Sequence, residues 1–393
     1  EAPASKANLG DIVKRSRDTA AGMSKGVQFL LKKNKIDVIE GFGKLSSANK
    51  INVSSESNGS SDVEAKNILI ATGARSRELP NLKIDGTSVI GYRQALVLPK
   101  QPKSMLIVGS GAIGSEFAYF FQTIGTEVTL VEFLPNIVPL EDIDVSKQLA
   151  KSFGKTGMKV MVNSSVEKVE VKEGKCHVDV KTDKGIEKFE VDVVLSAVGI
   201  EANIEGIGLE EVGITTDKGK ILTNDFYETN IPGVYAIGDC VGGQDLAHVA
   251  SAEGIIAVEK MAGHTPDPLD YNNIPGCTYC QPEVASVGYT EKAARDAGYK
   301  LKVGKFPFTA SGKASAAGHK DGFVKLIFDE QYGELLGAHM IGYNVTELIA
   351  EIVALRKLET TGPELIKTIH PHPTMSEAVM EAAAAAYGEV IHL

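Results

Sequence analysis

Residues 103–134, KSMLIVGSGAIGSEFAYFFQTIGTEVTLVEFL, constrain this chain more than any other stretch. An apolar strand-like run, SMLIV, leads into Gly109-Ser-Gly111-Ala-Ile-Gly114, and an amphipathic helical pattern and a second strand-like run follow. A bare GxGxxG is a weak signal, but between strand and helix it has the context that a dinucleotide fingerprint requires. Gly109 permits the tight turn, Gly111 lets the backbone approach a pyrophosphate, and Gly114 lets the helix pack on the strand. The phosphates then sit at the helix N-terminus, where unpaired N–H groups and the dipole favour anions. Glu132 ends the second strand, 23 residues after Gly109, where an acid bonds the adenosine ribose hydroxyls. A carboxylate there repels a 2′-phosphate, so NAD(H) is expected rather than NADP(H). The alternative is a glycine-rich turn that holds no ligand.

A chain of 393 residues has room for two or three domains with their own cores. Its net charge, 41 − 51 = −10, argues against a general affinity for nucleic acid or anionic membrane. No apolar run approaches the length of a bilayer span. The opening EAPASKANLG has neither an apolar signal region nor an initiator Met, which suggests a processed or truncated N-terminus. Four cysteines make no disulfide framework, so a reducing compartment is expected: bacterial cytoplasm, mitochondrial matrix or plastid stroma. Cys277-Thr-Tyr-Cys280 has redox spacing, yet it lies in a predicted strand pair with no helix to lower a thiol pKa. A structural role is expected for both.

Apolar residues from Leu9 to Leu31 recur near helical spacing, predicting a helix over 9–33. KIDVIEGFG, KINVSSE and NILIATGA read as short strands, with a polar turn at 56–61. Residues 166–199 alternate as an antiparallel meander, VYAIGD is a buried strand, and a helix follows from about 248 to 262. Pro266-Asp-Pro268 marks a boundary, beyond which sheet (FVKLIFD, LLGAHMIG) and then helices are expected. The run Ala382–Ala386 is a good helix former.

Near the C-terminus stands HPHPTMSEAVMEA, residues 370–382. Each His-Pro pair biases its histidine toward extended backbone, so the segment to Pro373 should not be helical. Thr374-Met-Ser-Glu377 reads as a capping box, in which Glu377 merely satisfies an exposed N–H. The other reading makes His372 and Glu377 a proton-transfer pair.

ILIATGA (68–74) and TNIPGVYAIGDC (229–240) each end a strand in a small or acidic residue beside glycine. With the fingerprint at 109 between them, the whole chain resembles the flavoprotein pyridine nucleotide-disulfide oxidoreductases. The resemblance implies an α/β fold: two Rossmann-like dinucleotide-binding domains, the first incomplete, and a C-terminal α+β dimerisation domain. It divides the chain into a partial FAD-binding domain (1–95), an NAD-binding domain (96–200), a return segment (201–268) and an interface domain (269–393). It implies FAD held by Gly43, Thr72, Gly73, Ala74, Asp239, Asp245 and the turn Leu246, Ala247, His248, with Asp239 on the ribitol. For NAD it adds Ala112, Ile113, Val166 and Gly199 to the three fingerprint glycines and Glu132.

HPHPTMSE is similar to the interface signature of the dihydrolipoamide dehydrogenases, in which a His and a Glu five residues later form an acid–base pair. That implies His372 and Glu377, a homodimer in which the imidazole serves the other subunit, and dihydrolipoamide or a lipoyl-bearing protein as substrate. A 2-oxo acid dehydrogenase or glycine cleavage complex is the implied setting. No metal is expected. Two departures stand against this. Ile200, followed by Glu201, replaces the arginine that the family places after LSAVG. The family's N-terminal GxGxxG for FAD and its CxxxxC redox pair are not found, so an absent N-terminal segment and an unstable or incomplete FAD domain are expected. The alternatives are a non-catalytic NAD-binding dimerisation fragment and a related NADH-dependent flavoprotein reductase working without a disulfide.

Overall fold

The computed structural model describes residues 7–57 and 59–393. Contacts gather Glu78–Gly199 with Asn272–Leu393 into one unit, and Gly10–Arg77 with Ile200–Tyr271 into another.

In the first unit five parallel strands lie in the order Val89–Ile90, Val193–Ser196, Ser104–Val108, Glu127–Val131, Lys159–Met161. Met105, Leu106 and Ile107 are wholly buried, which is why this strand reads as a continuous apolar run. Strand order reverses at Ser104–Val108, the switch point where ligands meet such sheets, and the glycine turn follows it directly. Three antiparallel strands, Ser165–Lys172, Lys175–Thr182 and Gly185–Val191, form the expected meander, with Cys176, Val178 and Val180 facing the core. Val193–Ser196 was expected in that meander, but it pairs in parallel with Ser104–Val108.

The same unit contains a five-stranded antiparallel sheet in the order Gly276–Thr278, Glu283–Gly288, Leu335–Gly342, Phe323–Asp329, Leu301–Pro307. Phe323–Asp329 and Leu335–Gly342 are buried along their whole length. Helices Val345–Lys357 and Glu377–Tyr387 share their core cluster. A Cβ on Gly304 would lie 1.9 Å from the Ala382 carbonyl, so helix and strand meet with almost no side chain between them. Ala382, Ala383 and Ala384 are buried, and the alanine run is therefore a packing face rather than only a good helix former.

All three expected boundaries differ from the breaks in the contact grouping, the middle one, 200/201, by a single residue. Val89–Ile90 pairs with Val194–Leu195, and Leu82 is buried, so residues 78–95 belong with the parallel sheet and the break falls at 77/78 instead of 95/96. The break after the proline pair falls at 271/272.

The second unit begins along the helix Leu9–Lys33, which matches its expected span. Beyond Leu9 none of its residues is buried, and Met23, Val27, Phe29 and Leu30 are exposed. KIDVIEGFG was expected as a strand; only from Phe42 does the chain become extended, in the meander Phe42–Ser47, Lys50–Ser55, Gly59–Glu64. The first half of the last of these strands falls in the expected turn. The parallel part of the unit is one pair, Ile68–Ile70 with Val234–Ala236, so this Rossmann-like half is incomplete among the described residues.

Candidate active site

Sterics at the glycine turn assign each glycine a separate duty. Gly109 has φ +94°, and a Cβ there would lie 2.4 Å from the Ala197 carbonyl oxygen. At Gly114 a Cβ would lie 1.9 Å from the Gly109 carbonyl, so the helix Ala112–Thr123 sits directly on the turn. Gly111 is different: a Cβ there meets nothing within 4 Å. Its freedom from protein contact leaves space above the turn, and as N-cap of the helix it supplies no side-chain bond to the N-terminal donors. Ala112 is exposed and Ile113 half-buried at the same rim.

Glu132 is buried beside this turn. Its Oε2 accepts from the Ser110 N–H (2.8 Å) and hydroxyl (2.7 Å), and its Oε1 accepts from the Leu134 N–H (2.8 Å). These bonds fix the carboxylate at the strand end and leave lone-pair capacity on Oε1 for a ribose hydroxyl. Ser110, an unassigned position of the fingerprint, thereby becomes a site residue that sequence reasoning missed. Gly199 is exposed with φ +112° at the end of the neighbouring strand. Val166 buries its side chain in the core, and its carbonyl already accepts from Asn81 Nδ2 (2.6 Å). An uncapped helix N-terminus, a cleared glycine and a fixed carboxylate fit the dinucleotide expected here.

In the second unit the residues around Thr72 and Asp239, expected to hold flavin, lie at the ends of one parallel strand pair, while Gly43 lies in a separate meander. Ala236 lies beside Ile70, and the Ile237 N–H donates to the Ile70 carbonyl (3.0 Å), which sets Thr72 and Gly73 next to Gly238 and Asp239. Ala74 opens a short strand paired with Ile200–Ala202. Burial and the nearby Asp245 carboxylate raise the Asp239 pKa against the pull of Lys220. Lys220 donates to the Asp239 carbonyl (2.6 Å) and to Asp245 (2.8 Å). Leu246 caps the helix Ala247–Met261 without a side-chain bond, Ala247 and His248 lie exposed in its first turn, and the Leu246 N–H is taken by the Gln244 carbonyl (2.9 Å). Gly43 is exposed in its strand. Glu253, also missed, accepts from the Gly238 N–H (2.7 Å) and from the Tyr271 hydroxyl (2.6 Å), tying the Asp239 turn to that helix. These residues fit the ribitol end of a flavin. The only GxGxxG of the chain is the one at 109, so they supply no pyrophosphate turn of their own. Next to Ile200, which stands where the family carries an arginine, Glu201 pairs across the strands with Arg75, which also binds Glu205 (2.9 Å).

The C-terminal histidines occupy a loop that leads into the helix Glu377–Tyr387. His372 exposes 78% of its side chain, while its Nδ1 lies 2.8 Å from Glu377 Oε1. The other carboxylate oxygen accepts from the Thr374 N–H at 2.8 Å. Burial alone would raise the Glu377 pKa, but that N–H and the His372 ring together bring it below the ordinary carboxylate range. With Nδ1 committed, the free ring nitrogen, Nε2, is the one presented outward.

The cysteines are free, and no two of the four are five positions apart. Burial raises the thiol pKa of Cys277 and, more strongly, that of Cys280, which suits structural residues. Among the described residues no His/Cys/Asp/Glu cluster could hold a metal. No described helix is long and apolar enough to cross a membrane.

Residues 2–254 match the model of the pyridine nucleotide-disulphide oxidoreductases, and residues 274–383 match that family's dimerisation domain. The chain is 46% identical to the dihydrolipoyl dehydrogenase of Zymomonas mobilis over 98% of its own length and 83% of the relative's. It is 45% identical to that of Rhizobium etli over 97% and 82%. Among solved structures, LpdA from Mycobacterium tuberculosis superposes with a TM-score of 0.89 at 28% identity, covering 96% of this chain and 83% of that one. These alignments run over nearly all of this chain and over 83% and 82% of the two relatives. The family uses FAD and NAD, and its members are NAD-dependent flavoprotein disulfide oxidoreductases. The two matches follow one another along residues 2–383, and the chain belongs to the pyridine nucleotide-disulphide oxidoreductases.

Proposed function

We propose that the chain serves a dihydrolipoyl dehydrogenase reaction: a dihydrolipoyl dithiol and NAD+ give the cyclic disulfide, NADH and a proton. The observation that carries this reading is His372, exposed at one ring nitrogen and tied at the other to Glu377. A carboxylate on Nδ1 holds the tautomer in which Nε2 is unprotonated and able to accept. Nε2 takes the proton of the first substrate thiol, and the thiolate so formed is the nucleophile for a redox disulfide, which the four free cysteines of this chain do not supply. Glu377, kept ionised by the Thr374 N–H and the ring itself, stabilises the imidazolium until that proton leaves. Bound FAD would accept the electron pair and NAD+ would take it up as hydride. Gly111 and the helix start at Ala112 would receive the NAD phosphates, Glu132 its adenosine ribose, and Asp239 the flavin ribitol.

The dimerisation-domain match and the exposure of His372 support a homodimer in which the ring serves the neighbouring subunit. The names of the relatives support a lipoyl group as substrate, carried by a 2-oxo acid dehydrogenase or glycine cleavage assembly. Their bacterial origin supports a cytoplasmic setting over an organellar one. One observation favours a second reading, a non-catalytic NAD-binding dimer module: none of the four cysteines has the family's CxxxxC spacing. Visible absorption of the purified protein before and after anaerobic NADH, followed by turnover of dihydrolipoamide with NAD+, separates the two. A flavin band that bleaches, with NADH formed from the dithiol, is expected. NADH binding without flavin or turnover would establish the second reading.

A further inference from the structure

His370, two residues before His372, has no part in the chemistry above, yet it is the more deeply buried ring. Its side chain is only 5% exposed, against 78% for His372. Its Nε2 lies 2.7 Å from Glu351 Oε1, on the helix Val345–Lys357, and its Nδ1 lies 3.1 Å from the Thr368 carbonyl oxygen. Both partners are acceptors. A neutral imidazole has one N–H and serves one of them, whereas an imidazolium donates to both. Glu351's hydrogen bond, against the opposing effect of burial, holds the His370 pKa above the ordinary imidazole range, and the Thr368 carbonyl and the Glu377 carboxylate add to it.

The backbone around His372 is then secured on both sides. Ahead of it stands the buried His370 ring, bound to the half-buried Glu351; behind it Met375 is packed in the core cluster of the antiparallel sheet. Between them the Thr374 hydroxyl donates to the Pro371 carbonyl (2.6 Å), and the Thr374 N–H donates to the same carboxylate that holds His372. An exposed ring cannot be fixed by packing around itself, so its place depends on these flanking anchors.

We propose that His370 is a positioning residue: a buried imidazolium clamped between Glu351 and the Thr368 carbonyl, which fixes the loop that carries His372 to Glu377. This deepens the dithiol-oxidation reading and rests on it only in its kinetic consequence. Protein labelled with 15N-histidine tests it directly. The two His370 nitrogens should both show bonded protons at pH 7, and a single-tautomer neutral pattern there would overturn the charge assignment. In Glu351→Gln the His372 Nδ1–H signal should broaden or shift; an unchanged signal would overturn the positioning role. Glu351→Gln and His370→Gln should each lower kcat for dihydrolipoamide by about ten- to a hundredfold, the scale of a misplaced reacting group, with KM for NAD+ unchanged. Kinetics equal to those of the unsubstituted protein would also refute positioning. If the unsubstituted protein does not oxidise the dithiol at all, the functional reading fails, while the two spectroscopic outcomes still decide the state and the role of His370.

Discussion

His372 and Glu377 meet at 2.8 Å through Nδ1 and Oε1, and the second oxygen of the same carboxylate accepts the Thr374 N–H. The sequence offers two readings of Glu377, a helix-capping acid or the partner of a proton-transfer histidine. The geometry satisfies both, because a carboxylate has two oxygens and the five-residue spacing brings ring and N–H to opposite ones. The reach back to Thr374 is half of a capping box, though the helix itself is capped at Ser376.

Removing the ring should separate the two half-reactions. In His372→Gln, oxidation of dihydrolipoamide by NAD+ should fall by about 10²–10⁴-fold, the usual weight of a general base, with a far smaller effect on NADH-to-dye transfer. Steady-state rates with both acceptors check this. Equal losses would mean that the residue has another role.

The fingerprint glycines should fail differently. Gly114→Ala drives a Cβ into the Gly109 carbonyl and should cost about 1–3 kcal/mol of stability or more. Gly111→Ala places its Cβ in open space at φ −62°, which alanine adopts, so its stability should stay within about 0.5 kcal/mol. Yet NADH binding should weaken by about tenfold, because a methyl group would occupy the approach of the pyrophosphate. Denaturation and NADH fluorescence titrations on the two variants decide the matter; similar behaviour would remove the distinction.

Glu132→Gln retains an acceptor for Ser110 but loses the charge. Hydrogen bonds to a charged group are worth about 1.5–3 kcal/mol, so preference for NADH over NADPH should shrink by about ten- to a hundredfold. The ratio of binding constants measures it. An unchanged ratio would show that Glu132 does not select the cofactor.

Cys277→Ser and Cys280→Ser should keep turnover close to that of the parent protein. Cys280 is the more buried, and its serine variant should lose about 1–3 kcal/mol by burying a hydroxyl. Neither thiol should react readily with maleimide at neutral pH, since burial keeps both protonated. A large loss of activity in either variant would restore the redox reading of that pair.

Lys325 is 2% exposed and binds Asp142 (2.9 Å), Asp144 (3.2 Å) and Glu291 (2.8 Å). Burial raises the Asp142 pKa, but the Lys325 hydrogen bond and the Asp144 N–H bring it below the ordinary range. A depressed carboxylate stabilises the fold fully above its unfolded pKa, about 4, and that contribution is lost as pH falls toward the lower folded value. Lys325→Met should therefore cost about 3–5 kcal/mol at neutral pH, by leaving the buried Asp142 carboxylate without its cation. It should also move acid unfolding to higher pH. Circular dichroism during acid titration checks the shift, and an unmoved midpoint would show that the cluster contributes nothing.

What the sequence alone determined lies within short spans. The helix Leu9–Lys33, the strand–turn–helix at 104–123, the strand pair Gly276–Gly288 and the non-helical run before Pro373 follow from periodicity, glycine sterics and the restriction proline imposes on its neighbour. The fingerprint glycines and Glu132 were legible for the same reason, since each is encoded by a turn or one βαβ unit; the local sequence left His372–Glu377 open between a cap and a pair, and only the family resemblance favoured the pair. Tertiary structure alone decided the rest. Val89–Ile90 is too short to carry a pattern and becomes a strand only against Val194–Leu195. Glu351 meets His370 from 19 residues away, and Lys325 reaches Asp142 across 183. Such pairs leave no periodic mark on the sequence, because what joins them is the closure of the chain into a core rather than the geometry of any one element.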